Sequence, residues 1–265
     1  MEFRWQNETE MLSRYECKRP DGHCNKPQKR IGMSTRIRAV LIANCSSLGS
    51  RGVASGIFKR PLNHAVEVTR TGLAGDEQGD KKHHGGPEKA IHHYAFDHYA
   101  IWKSEVPEFS MVPDREGAFG ENISTEGLTE ADVCIGDIYR LGSALVEVSQ
   151  ARQPCWRLNE RFGDAAMARR VQDTGRTGWY YRVLEEGRIG PDDTIDLLDR
   201  PAADWPLSRI LHLLYRDTLN IDDLAQLTEL NQLTESWRLL ARRRLEYHAV
   251  EKWSRRLNTP EGAAS

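Results

Sequence analysis

No stretch of this 265-residue chain approaches the ~20 consecutive apolar residues that a membrane-spanning helix requires, and the first residues lack the apolar core of a secretory signal. Neither a membrane nor export is implied. Cysteine is scarce, with five residues at 17, 24, 45, 134 and 155. An odd count at irregular spacing argues against a secreted disulfide framework and for a reducing compartment, the cytoplasm. An excess of one charge sign is also lacking: 37 Lys and Arg against 39 Asp and Glu leave a net charge of −2. Such a chain exerts no global pull on nucleic acid or anionic lipid, so any anion site must be built locally. There is no Cys-x-x-Cys pair or His-x-x-x-His motif for a conventional zinc site, and no glycine fingerprint for a flavin or dinucleotide.

What is present divides into three parts. Residues 1–32 are polar and unpatterned and read as a dispensable extension. Their Cys17, His23 and Cys24 lack a fourth ligand and a zinc spacing. From Ile37 onward short β-rich segments follow: Ile37 to Ala43, Ala65 to Thr69, Lys89 to Tyr94, Ile138 to Leu141 and Leu145 to Ser149. Helical patterns interrupt them at Phe96 to Glu105 and Asp164 to Asp173. The mixture predicts a mainly β fold over 33–200, a closed or partly closed barrel with inserted short helices. Pro201, Asp204 and Pro206 then mark a boundary before a small all-α domain over 205–253, followed by a tail at 254–265. Its three predicted helices are Leu207 to Asp217, Ile221 to Leu230 with Asn220 as N-cap, and Glu235 to Trp253 with Thr234 as N-cap. The predicted core positions are Ile210, Leu211, Leu214, Leu224, Leu227, Leu239, Leu240 and Tyr247. The run Arg242, Arg243 and Arg244 would suit a nucleic-acid recognition helix, but Glu246 and Glu251 dilute its field and a solvated face is the commoner outcome.

The chemistry-bearing residues cluster in glycine-rich loops. Gly72-Leu73-Ala74-Gly75-Asp76 is a tight turn whose amides could approach an anion. His84-Gly85-Gly86-Pro87 presents an imidazole beside two unhindered residues. His92 and His93 are tempting metal ligands, but consecutive residues of a strand point to opposite faces, so both are expected to be structural or surface groups. In Phe119-Gly120-Glu121-Asn122, a glycine that permits close approach precedes a carboxylate and a carboxamide. Finally, Ser149-Gln150-Ala151-Arg152-Gln153-Pro154-Cys155 ends an apolar run on a thiol beside a guanidinium, which favours the thiolate, the nucleophilic and metal-binding form.

In their order and spacing, these motifs, with Gly127-Leu128-Thr129-Glu130 and Gly136-Asp137, resemble the MOSC domain, the molybdenum cofactor sulfurase C-terminal type. They are most similar to its YiiM-like branch, which carries a C-terminal three-helix domain. The resemblance runs from about Ile37 to Arg200, and Ala151 departs from the proline expected in that motif.

The resemblance implies a β-barrel that holds the molybdenum cofactor, with Cys155 as the protein thiolate on molybdenum and Arg152 keeping it deprotonated. Lys59 matches a basic position aimed at the cofactor phosphate. Gly75, Asp76, His84, Gly85, Gly86, Gly120, Asn122 and Gln150 would complete the cofactor pocket. Asp76, His84 and Glu121 are candidate proton donors, with Cys155, His84 and Glu121 the catalytic set. The implied activity is reduction of N-hydroxylated compounds such as hydroxylaminopurine, with electrons from a separate flavoprotein or small redox protein. The alternative is a persulfide or cofactor carrier without reductase activity. Pyridoxal phosphate chemistry is not expected, since no stretch is long enough to be a desulfurase.

Overall fold

The structure, a computed structural model, describes residues 34–80, 85–106 and 115–260. Cys17, His23, Cys24, the 1–32 extension and His84 lie outside the described residues.

Thirteen strands are present among the described residues. In chain order they are β1 (Ser34–Ile42), β2 (Ser46–Leu48), β3 (Val53–Ser55), β4 (Arg60–Pro61), β5 (Val66–Thr69), β6 (Gly72–Leu73), β7 (Ile91–Ala95), β8 (Ile123–Thr125), β9 (Ile138–Leu141), β10 (Ala144–Ala151), β11 (Trp179–Glu185), β12 (Gly187–Ile189) and β13 (Thr194–Asp199). Seven of them, in the order β13-β9-β10-β11-β7-β8-β1, close into a barrel through pairing of β1 with β13. Closure leaves no open edge among these seven. All pairings are antiparallel except β7 with β8. Register shifts interrupt β1 against β8, β10 against β11 and β13 against β9, the local bends that let a sheet curl on itself.

Strand β10 is buried along its whole length, so it cannot alternate inside and outside as a half-solvated strand does. One face meets the barrel core through Val146 and Val148. The helix Leu207–Tyr215 packs against the same strand.

Seven α-helices are described: α1 (Asp97–Glu105), α2 (Arg157–Phe162), α3 (Met167–Thr174), α4 (Leu207–Tyr215), α5 (Ile221–Glu229), α6 (Glu235–Tyr247) and α7 (Ser254–Leu257). Both α2 and α3 end on a left-handed glycine, Gly163 at φ 68° and Gly175 at φ 73°, a conformation that a Cβ would strain. Asn220 caps α5, its side chain accepting from Asp223 N–H at 3.1 Å. No helix among the described residues is long and apolar enough to cross a membrane.

Several expectations need correction. Lys89 is not in a strand: Pro87–Lys89 forms a 3-10 turn and the strand starts at Ile91. Thr234 makes no side-chain cap; its hydroxyl contacts Ser236 Oγ instead. The last long helix stops at Tyr247, six residues before Trp253, because His248 turns left-handed at φ 47°. That helix also presents a partly different face to the core: Trp237, Ala241 and Arg244 are buried and Leu240 packs on the core as expected, while Leu239 and Tyr247 are exposed. Arg244 is only 1% exposed and forks onto Glu251 at 2.8 and 3.0 Å while donating to the Leu214 carbonyl at 3.0 Å. A guanidinium so used is withdrawn from the arginine run on the surface. The C-terminal helices share one apolar cluster with the barrel, in which Trp205, Ile210 and Leu214 join Val146 and Tyr139, and the described residues form one compact unit.

Candidate functional site

One end of the barrel gathers the polar loops into a cleft. The register explains how: Tyr180 at the start of β11 faces His92 of β7 on one side and Gln150 of β10 on the other. Beyond Ala151 the chain leaves the sheet, with Arg152 N–H still donating to the Gly178 carbonyl at 2.9 Å, and reaches Cys155 just before α2. The cleft is lined by Lys59, Asp76, Gly120 and Asn122 on one side and by Lys89, Arg152, Cys155, Arg157 and Tyr180 on the other, with His92 between.

Asp76 organises the first side. It accepts from Lys59 Nζ at 2.5 and 2.6 Å, from Asn122 Nδ2 at 2.9 Å and from Ala43 N–H at 2.9 Å. Burial lowers the Lys59 ammonium below the usual lysine range, against the pull of Asp76. Asn122 is a three-way tie: its backbone carbonyl accepts from Leu41 N–H, its amide donates to Leu41 O at 3.1 Å, and its Oδ1 accepts from His92 N–H at 3.1 Å. Gly120 adopts φ 76°, and a Cβ there would meet Ile57 at 3.0 Å. Its carbonyl takes a hydrogen bond from His92 Nδ1 at 3.2 Å, which fixes the imidazole as the Nδ1–H tautomer and leaves Nε2 an acceptor.

On the second side, Arg152 is 7% exposed and donates to the Tyr180 hydroxyl. Burial lowers the Lys89 ammonium, and Cys155 and then Asp80 pull it back up. Lys89 is therefore a cation that the Cys155 sulfur feels. Burial raises the Tyr180 phenol, with Arg152 opposing it and Cys155 adding to it. The thiol, a lysine, a guanidinium and a phenol thus form one electrostatic group.

Of the expected site residues, Lys59, Asp76, Gly120, Asn122, Arg152 and Cys155 line the cleft. Gly75, Gly85, Gly86, Glu121 and Gln150 are not in its lining. Glu121 is fully buried and spends its carboxylate on Tyr99 Oη at 2.5 Å, Gly117 N–H at 2.6 Å and Phe119 N–H at 3.1 Å. It holds the loop that carries Gly120 and Asn122, and burial raises its pKa. The glycine turn does not offer all its amides to an anion: Ala74 and Asp76 N–H are used by the Glu67 and Leu73 carbonyls. Gln150 is 2% exposed and its Nε2 bonds the Ala151 carbonyl.

Sequence reasoning missed Lys89, Arg157 and Tyr180 and took His92 as structural or surface. The available signal was strand alternation: His93 points into the barrel, to Tyr181 Oη at 3.0 Å and Thr125 Oγ1 at 2.9 Å, so its neighbour His92 must face the other way. Among the described residues no group of three or more His, Cys, Asp or Glu side chains is placed to hold a metal ion. A metal in this cleft would have the single thiol of Cys155 as its protein sulfur ligand.

Residues 80–196 match the MOSC domain model, and residues 205–248 match the model described as YiiM-like, 3-alpha helix domain. The chain is 39% identical over 210 residues to protein YiiM of Escherichia coli (strain K12), covering 78% of this chain and 91% of that one. The chain belongs to the YiiM-like MOSC family. The crystal structure of YiiM from Escherichia coli superposes with a TM-score of 0.71 at 31% identity, covering 84% of this chain and 99% of the other. A protein of Gibberella moniliformis named "Reductase" is 38% identical over 83% of this chain, which spans only 38% of that longer protein.

Two observations bear on whether the cleft suits a molybdenum cofactor. Arg152 and His92 line it, and each has one buried nitrogen, Nη1 and Nε2, with no partner among the described residues. Buried polar atoms are nearly always paired, so the Arg152 donor calls for an acceptor oxygen on the occupant and the His92 acceptor for an N–H or O–H. Lys59, Lys89, Arg152 and Arg157 supply the positive charge for an anionic one, and a soft thiol stands beside them. The residues fit the group.

Proposed function

We propose that the protein binds the molybdenum cofactor in this cleft and reduces N-hydroxylated compounds of the hydroxylaminopurine type. The observation that carries the reading is the buried Nη1 of Arg152, unpartnered among the described residues, in the same cleft as Cys155. Arg152 and Lys59 would hold the cofactor's anionic oxygens, and Cys155 would ligate molybdenum as a thiolate. The bound cofactor supplies two-electron chemistry at molybdenum that protein side chains do not possess.

The reaction converts R–NHOH, two electrons and two protons into R–NH2 and water: the N–O bond breaks and the nitrogen is reduced. Lys89 is our assignment for proton delivery. Its Nζ lies within electrostatic reach of Cys155 and burial lowers its pKa, which brings a lysine closer to the range in which it can give and regain a proton near neutrality. His92 Nε2, held as an acceptor by the Gly120 carbonyl, would orient a substrate N–H or O–H. Asp76 fixes Lys59 and Asn122 in place, and Glu121 holds the loop behind them. Electrons would come from a separate flavoprotein or small redox protein. The name of the fungal relative supports a reductase class.

The test is oxidation of reduced viologen by the cofactor-loaded chain with hydroxylaminopurine, compared with Cys155→Ser at equal molybdenum content. The native chain should turn over and the variant should fall by at least about 100-fold, as expected when an interaction at the reacting centre is lost. A molybdenum-loaded native chain without turnover would remove the reductase reading for this substrate.

A further inference from the structure

Lys89 lines the Cys155 cleft, yet the 3-10 turn that carries it, Pro87–Lys89, buries none of its own side chains. Before the turn stands Gly86 at φ 95°, with open space where a Cβ would lie. A segment with so little apolar packing opens readily unless other bonds hold it. Those bonds are polar, and they act chiefly on Glu88.

Arg182 of β11 grips the Glu88 carboxylate, Nη2 and Nε donating to Oε2 at 2.6 and 3.0 Å. Ser149 of β10 donates its hydroxyl to the Glu88 carbonyl at 2.6 Å. Just past the turn, Ala90 N–H donates to the Tyr181 carbonyl at 3.1 Å.

Arg182 and Ser149 are themselves held by the loop between α5 and α6, residues 230–234. Arg182 Nη2 also donates to the Gln232 carbonyl at 2.8 Å, and the Ser149 carbonyl accepts from Thr234 N–H at 3.2 Å. The loop reaches them because position 136 is glycine: at φ 76° a Cβ there would stand 2.5 Å from Gln232 Cγ. Beside it, Asp137 accepts from Arg200 at 2.7 and 2.9 Å, at the junction of barrel and cap. The Gly136-Asp137 pair is thus a seat for the cap. Arg182 completes its fork on Glu147 Oε2 at 3.2 Å, a carboxylate only 4% exposed. A planar guanidinium with all three nitrogens engaged fixes direction as well as distance, which a flexible ammonium does not.

We propose that Arg182 is a positioning residue, the strut through which the α5–α6 loop of the helical cap holds the Lys89 turn in the wall of the Cys155 cleft. The strut follows from these contacts; its use in catalysis rests on the proton delivery assigned to Lys89 above.

Hydrogen exchange of the full chain without cofactor tests the strut. In Arg182→Met, the Lys89 and Ala90 amides, which donate to the Gly86 and Tyr181 carbonyls, should exchange at least about tenfold faster, the effect of losing charge-assisted bonds. The Leu41 amide, which donates to Asn122 on the other side of the cleft, should keep its rate. Glu88 has a half-exposed side chain, so Glu88→Gln should act alike with the thermal transition unchanged. The double variant should exceed either single by less than about twofold, since both remove one interaction. Thr234 already has a φ of −57°, which suits proline. Thr234→Pro removes its N–H and should speed the same two amides at least about threefold. In the cofactor-loaded chain, Arg182→Met and Glu88→Gln should lower kcat at least about tenfold with KM within about twofold, and Arg182→Lys should regain part of the loss. Unchanged exchange at Lys89 and Ala90 in Arg182→Met or Thr234→Pro overturns the proposal, as does faster exchange with kcat kept. A native chain that binds molybdenum without turnover strikes the reductase reading alone, since the exchange comparison needs no cofactor.

Discussion

Burial lowers the imidazole of His93 to a pKa of about 3 and that of His92 well below the usual range, Arg152 adding to the effect at His92. The unfolded chain protonates both rings below about pH 6.5, whereas the folded chain resists until far lower pH. The unfolded state then binds more protons, so stability is full above about pH 6.5 and falls as the pH drops, by up to about 1.4 kcal/mol per pH unit for each ring. Urea unfolding at about pH 7 and about pH 5 should show this loss, and His93→Gln should make it shallower by up to one such increment per unit. An unchanged slope in the variant would contradict the assignment of His93. The opposed orientation of the two histidines was legible from strand alternation alone. What each touches was not, because Gly120, Thr125 and Tyr181 come to them from elsewhere in the chain. Glu121 shows the same limit. A carboxylate in a glycine loop reads as catalytic in sequence, and only the fold reveals that Tyr99 and two backbone amides consume it.

At the scale of elements, the short helix α7 fastens the turn that presents Cys155. Arg256 donates to the Pro154 carbonyl and to Gln172 of α3, its own carbonyl accepts from Trp156 N–H at 2.8 Å, and Asn159 of α2 donates to the Leu257 carbonyl at 2.8 Å. Arg256→Met should destabilise the chain by about 1–3 kcal/mol, the usual cost of buried acceptors left unmet. It should also speed alkylation of Cys155, now 7% exposed, by several-fold over the native chain. Peptide mapping of iodoacetamide-treated protein reads this directly, and an unchanged rate at Cys155 would show that α7 does not hold the turn. The residues before the tail were expected to continue one helix to Trp253; instead a left-handed His248 breaks it and frees the chain to return to the cleft. No proline or glycine marks that break, which is why sequence reading passed over it. β9 was legible to the residue, and β5 and β10 nearly so, because β-branched and aromatic residues recur along them between turn signals. β2, β4 and β6, of two or three residues each, are set by partners across the fold and leave no period to read.

On the scale of the whole molecule, a closed barrel and a helical cap share one core, and the polar loops collect at one barrel end. The family motifs made the barrel, the helical part and Cys155 readable, since glycines at fixed spacing constrain backbone that few other sequences can follow. The helical cap was read correctly in number and order, and the core positions expected in α4 and α5 are buried; the miss is in α6, where Leu239 lies outward and Arg244 inward, because the partners of Arg244 are the Leu214 and Thr218 carbonyls and Glu251, polar acceptors that hydrophobic periodicity does not register. Lys89 escaped notice because its role depends on a 3-10 turn that folds it toward a thiol far along the chain. The central claim is that Cys155 is the protein ligand of molybdenum in this cleft. X-ray absorption at the molybdenum edge of the cofactor-loaded chain and of Cys155→Ser tests it most directly. The account predicts one sulfur neighbour fewer in the variant, replaced by oxygen, with the cofactor's own sulfur neighbours unchanged; the same sulfur count in both proteins would contradict it.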